Sequence, residues 1–272
     1  MKMMKNFLLI LFLIQQLLAA SLDTVVIKSK SMGTAPRAVI VIPASYYQSK
    51  TVLPVVYLLH GWSGSYRDWS VHIDLRPLAE RYQFIIVCPN GGYDGWYLDS
   101  PLDKNSQYET YICREVIRYI DKHYQTIAKP EGRFICGLSM GGHGALSLLA
   151  KHPDLYAAAS SMSGALALSH ANKKYGLIRL LGDPETNSGL WQQNSCISLI
   201  ENLVGLNRGI LLDCGIDDFT ITINRTVHTK LIELGIPHDY IERPGKHNWD
   251  YWTNALEYHL LYFQKMLQEN HN

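Results

Sequence analysis

Arg133-Phe134-Ile135-Cys136-Gly137-Leu138-Ser139-Met140-Gly141-Gly142-His143-Gly144-Ala145-Leu146 is the stretch on which the reading of this chain turns. Residues 133–136 form a short apolar run of strand type, and residues 142–150 are small and helix-forming, so Gly-Leu-Ser-Met-Gly stands at a strand-to-helix junction. A serine at such a junction occupies a strained turn that exposes its hydroxyl, and only glycines two residues away on each side leave room for that turn. The five-residue pattern alone is weak, and an ordinary turn serine is the bland alternative. The strand-turn-helix setting makes Ser139 the candidate nucleophile.

Working outward, apolar runs recur at 24–27, 38–42, 52–59, 84–88, 133–136, 157–162, 210–214 and 238–242. Between them, 109–124, 140–150, 222–234 and 249–267 carry helical spacing, with Ile112, Val116, Ile117 and Ile120 forming one stripe of the first. The first two runs are close enough for an antiparallel start. The alternation that follows predicts an α/β fold, an about eight-stranded and mostly parallel sheet with helices on both faces. Residues 165–207, between the sixth and seventh strands, are rich in Asn, Ser and Gly and too long for an ordinary connection. They read as an insertion over the candidate site or as a surface excursion without a role.

A chain of 272 residues, 47% hydrophobic, can bury one large core and predicts one domain. With 25 basic and 24 acidic residues, its formal charge of +1 supplies no field for nucleic acid or an anionic membrane. A small neutral or weakly charged partner fits better. At the N-terminus, Lys2 and Lys5 precede an apolar run at 7–14, then Leu17, Leu18, Ala19, Ala20 and Ser21. This predicts a signal peptide over 1–21 and a single mature domain over 22–272, secreted or periplasmic, with no stable membrane span after cleavage. The run is short for a spanning helix, although a retained anchor is the alternative. Cys88, Cys113, Cys136, Cys196 and Cys214 are an odd set without zinc-type or redox-type spacing, which leaves at most one disulfide, and Cys88, Cys136 and Cys214 fall in apolar strand-like runs that predict buried thiols.

A serine hydroxyl needs a base, and the base needs an orienting acid. In this motif the chain order is serine, acid, histidine. Asp217 and Asp218 follow the 210–214 strand, with Asp218 preferred and Asp217 the alternative. His247 follows the last strand and is the expected base; His238, inside a strand-like run, and His143, on the elbow helix, are the competitors. An oxyanion needs two fixed N–H donors. Met140 follows the nucleophile, and Trp62 follows the Leu59-His60-Gly61 strand end. Aromatics gather at the same strand ends, and of these Trp96, Tyr97 and Trp249 are the candidate substrate contacts, with Trp252 more suited to packing.

These residues resemble the esterase family that includes the S-formylglutathione hydrolases (esterase D), tributyrin-type, feruloyl and acetylxylan esterases, and the mycolyltransferases. The likeness runs through His60-Gly61, Gly95-Trp96-Tyr97-Leu98-Asp99-Ser100-Pro101, Tyr108-Glu109-Thr110, 137–146, Asp213-Cys214-Gly215 with Asp218-Phe219, and His247 with Trp249 and Trp252. It implies an α/β-hydrolase fold and a metal-free, cofactor-free acyl-enzyme mechanism. The implied triad is Ser139, Asp218 and His247, with an oxyanion hole from the N–H groups of Trp62 and Met140. Trp62 departs from the apolar residue often found there, which narrows the acyl side. The leader disfavours a cytosolic glutathione thioester and favours an exported esterase acting on acetyl, feruloyl or short-chain acyl esters of carbohydrates. An acyltransferase with the same triad, and a silent carbohydrate-binding protein that kept the fold, are the rival readings.

Overall fold

The computed structural model describes residues 20–48, 51–171 and 174–269. The leader expected at 1–21 therefore lies, up to residue 19, outside the described residues. Ser21 is already part of the first strand, paired with Ile42.

Eight strands form one sheet: β1 (Ser21–Val26), β2 (Arg37–Ile42), β3 (Val55–Leu59), β4 (Ile85–Pro89), β5 (Arg133–Leu138), β6 (Ala158–Met162), β7 (Gly209–Gly215) and β8 (Asp239–Arg243). Their spatial order is β1-β2-β4-β3-β5-β6-β7-β8. β1 and β2 pair antiparallel, as does β2 with β4, and every later pairing is parallel. The expected α/β-hydrolase architecture is what the chain adopts, including the long excursion between β6 and β7.

The period-two alternation of strands divides the core into two layers. Val55, Tyr57 and Leu59 of β3 face one layer and Val56 and Leu58 the other. The first layer is closed by α2 (Ile117–His123), α3 (Met140–Lys151), α4 (Ile221–Glu233) and the excursion. The second is closed by α1 (Arg76–Tyr82) and α5 (Trp249–Glu269), whose Trp252, Leu256, Leu260 and Phe263 lie against Phe134 and Phe84. The helix expected at 109–124 is present, but its middle, Tyr111–Val116, is π-type.

All five cysteines are buried and free, so the thiol reading holds and no disulfide forms. After β3 the chain moves outward to β4, then returns to place β5 on the other flank of β3. The crevice where strand order reverses thus opens at the carboxyl ends of β3 and β5, the position at which such sheets bind ligands.

Candidate active site

Ser139 stands between β5 and α3 with φ +53° and ψ −113°, a conformation unfavourable for any residue with a Cβ. The surroundings enforce it. Ser139 N–H donates to Met162 O at 2.9 Å, and its carbonyl accepts from Ala165 N–H at 3.2 Å and His143 N–H at 3.0 Å. The flanking glycines are needed for contact: a Cβ on Gly137 would lie 2.4 Å from the Gly141 carbonyl, and one on Gly141 would lie 2.6 Å from Leu59 O.

His247, on the loop after β8, brings Nε2 to 3.0 Å from Ser139 Oγ. Its Nδ1 lies 2.9 Å from both oxygens of Asp218. Asp218 leaves the end of β7 and is 2% exposed, whereas Asp217 points outward. Thr220 fixes the Asp218 carboxylate with its N–H and its hydroxyl, each at 2.8 Å. Burial opposes ionisation of Asp218, but the His247 ring and the Thr220 donors outweigh it and hold the carboxyl below its usual range. With Asp218 ionised, Nδ1 carries the proton and Nε2 faces the serine as an acceptor. The competing histidines lie elsewhere. His143 is fully buried and bonds Asn194 O through Nε2 at 2.8 Å, and His238 bonds His228.

The loop after β3 runs beside Ser139: a Cβ on Gly61 would come within 2.7 Å of Leu138 Cδ1 and 3.7 Å of Ser139 Cβ. Here His60 does work that the sequence reading did not assign to it. Gly91 N–H donates to His60 Nε2 at 2.8 Å, so the ring proton sits on Nδ1, which donates to Gly61 O at 2.8 Å. Burial lowers the His60 pKa and keeps the ring neutral. Gly64 N–H also donates to Gly61 O, at 3.2 Å. Gly61 C=O and Trp62 N–H belong to one trans peptide plane and point in opposite directions. Fixing the carbonyl therefore fixes the donor. Met140, the first residue of α3, has an N–H without an intrahelical acceptor.

A cavity of about 360 Å³ adjoins these groups, walled by Trp62, Trp96, Ala165, Tyr175, Phe219 and Ile223. Trp62 contacts the Tyr93 and Tyr175 rings edge-on, each at 5.1 Å between centroids. Phe219, 73% exposed, lies 4.2 Å from the His247 ring, and Trp252 meets that ring edge-on at 4.9 Å from the other core layer.

Of the three aromatic contacts expected from sequence, only Trp96 lines the cavity. Tyr97 is fully buried and its hydroxyl donates to His60 O at 2.9 Å, so it braces the Gly61 loop. Trp249 stacks on His72 and meets Trp69 and Trp252 edge-on, which makes it a packing residue at the start of α5. Ala165, Ala167, Lys174 and Tyr175 of the excursion line the cavity, so this segment is more than a surface loop. The wall residues Tyr175 and Phe219 were not among the expected contacts. Among the described residues no group of three or more His, Cys, Asp or Glu side chains could hold a metal ion, and no helix is long and apolar enough to cross a membrane.

Comparison with known proteins bears on the family and the activity. Residues 29–263 match the family described as "Putative esterase". An acetyl esterase of Caldicellulosiruptor saccharolyticus is 30% identical over 223 residues, 76% of this chain and 83% of that protein. A diacylglycerol acyltransferase/mycolyltransferase of Mycolicibacterium smegmatis is 27% identical over 241 residues, covering 74% of each. The structure of a ferulic acid esterase superposes with a TM-score of 0.80 at 26% identity, over 92% of this chain and 99% of that one. The chain belongs to this esterase family and is a carboxylic-ester hydrolase.

Proposed function

We propose that the ester is cleaved through an acyl-enzyme on Ser139. His247 Nε2 takes the hydroxyl proton as Ser139 Oγ attacks the carbonyl, and Asp218 stabilises the imidazolium that forms. The N–H groups of Trp62 and Met140 receive the oxyanion. His247 then passes its proton to the departing alcohol, and a water deprotonated by the same nitrogen releases the acid. The observation that carries this reading is the unbroken Ser139–His247–Asp218 hydrogen-bond series at 3.0 and 2.9 Å.

The acyl group is read from the cavity. Aromatic walls around about 360 Å³ favour a planar aromatic acyl chain of feruloyl type and also admit acetyl or short acyl groups. The N-terminal Lys2, Lys5 and the apolar run at 7–14 support export, and an exported enzyme suits carbohydrate-linked esters outside the cytosol. Ser139→Ala is expected to abolish hydrolysis of p-nitrophenyl acetate and labelling by a fluorophosphonate while the circular dichroism spectrum stays that of the wild type. Retained turnover in that variant would refute the assignment. Similarity to the mycolyltransferase supports a second reading, transfer of the acyl group to a sugar hydroxyl in place of water. A new ester formed with excess acceptor sugar would identify it.

A further inference from the structure

The loop that carries His247 is held at both ends by one buried carboxylate, Asp213. This residue lies in β7, five positions before Asp218, and is 0% exposed. Arg243, the last residue of β8 and four positions before His247, donates from Nη2 to Asp213 Oδ2 at 2.6 Å. Tyr251, four positions after His247 and in the first turn of α5, donates its hydroxyl to Asp213 Oδ1. Further along α5, His259 Nε2 stands 3.5 Å from the same carboxylate. Both exits of the 244–248 loop therefore converge on one point in the sheet.

The main chain between these anchors is closely confined. Gly245, at φ +155°, passes the Tyr251 ring so closely that a Cβ would lie 2.2 Å from Cδ2. A Cβ on Gly215 would lie 2.4 Å from Gly245 O. Ile216 N–H donates to Arg243 O at 2.9 Å and Asp217 N–H to Gly245 O at 3.0 Å, which joins the His247 loop to the segment that carries Asp218. A buried charge of this kind is costly unless paired. Its partners here are the residues that fix where the imidazole hangs.

We propose that Asp213 is a positioning residue for the reaction, clamping Arg243 and Tyr251 so that His247 Nε2 stays within hydrogen-bond reach of Ser139 Oγ. It touches neither substrate nor the reacting atoms and acts through the loop. The role rests on the triad reading above. Misplacing a reacting group by about 1 Å can cost on the order of 10²-fold in rate.

The test is a double-mutant cycle on p-nitrophenyl acetate with full-length enzyme. Asp213→Asn is expected to lower kcat by about 10- to 100-fold with KM changed by less than about twofold. In a His247→Ala background, where no imidazole remains to be placed, the same substitution is expected to leave the residual rate unchanged. Should Asp213→Asn fail to fold, Tyr251→Phe removes one donor and reads the same cycle with a smaller loss. Wild-type kcat in the folded variant, or equal losses in both backgrounds, would overturn the positioning role. The triad reading fails separately, through an active Ser139→Ala.

Discussion

Replacing His60 by Phe removes two hydrogen bonds while keeping a ring of similar size in a fully buried position. Gly91 N–H loses its acceptor and Gly61 O loses its nearest side-chain donor. Gly91 N–H, left unpaired in the interior, costs about 1–3 kcal/mol, and the lost bond to Gly61 O, which keeps Gly64 N–H, adds about 1 kcal/mol, so stability should fall by about 2–4 kcal/mol. For a chain of this size that lowers Tm by at least roughly 4 °C. The effect on rate has a different origin. With only Gly64 N–H left on Gly61 O, the Gly61–Trp62 peptide turns more readily, and loss of the proposed oxyanion donor costs about 10²- to 10³-fold in kcat. The assay pairs thermal unfolding with steady-state hydrolysis of p-nitrophenyl acetate well below the lowered Tm. Tyr97→Phe, which frees only His60 O, should show a smaller loss of the same kind. If His60→Phe loses stability yet retains wild-type kcat, the peptide-plane argument is wrong and His60 is a core residue alone.

Asp218→Asn keeps the shape of the triad but favours the wrong imidazole tautomer, and kcat for p-nitrophenyl acetate should fall by about 10⁴-fold. A loss under tenfold would point to another acid. Trp62→Ala opens one aromatic wall of the cavity, and the loss of about 0.5–1.5 kcal/mol per aromatic contact should reduce kcat/KM for a feruloyl ester by about 2- to 10-fold while acetyl ester turnover changes little. Equal losses on both substrates would assign Trp62 to the oxyanion loop only. Burial lowers the pKa of His259, but the Cys136 sulfur and the Asp213 carboxylate outweigh it and raise the ring to about 9. Because the folded value lies above the unfolded value of 6.5, this contribution is fully present below pH 6.5 and is lost as pH rises toward about 9. The unfolding free energy from urea titrations should therefore fall across that window, by an amount on the order of 3 kcal/mol, and His259→Asn should flatten the decline. An unchanged decline in the variant would refute the attribution.

The sheet was readable because its strands are short apolar runs ending in glycines and polar turns, and the elbow was readable because Gly137 and Gly141 are both sterically required. Asp218 could be preferred over Asp217 by its spacing from Gly215, and the reason is now physical: one side chain turns inward and the other outward. The aromatics resisted this approach. Trp96 and Tyr97 are neighbours, each with positive φ, and that pair of left-handed residues sends one ring to the cavity and the other beneath the Gly61 loop. No side-chain periodicity encodes such a kink. Trp249 misled for a related reason: closeness to His247 in sequence says nothing about which side of α5 it faces. The roles of His60 and Asp213 depend on hydrogen bonds to backbone or side chains far along the chain, which composition cannot report.

The five unpaired thiols have a consequence for where this enzyme can mature. Each is sealed in the interior, and burial raises the pKa of Cys88, Cys113, Cys196 and Cys214 well above that of a free thiol, so little reactive thiolate is present at neutral pH. Folding asks nothing of an oxidant or an isomerase, and the native state offers no handle to either. The folded protein is thus expected to keep its activity in a reducing or an oxidising milieu, since neither meets an accessible thiolate.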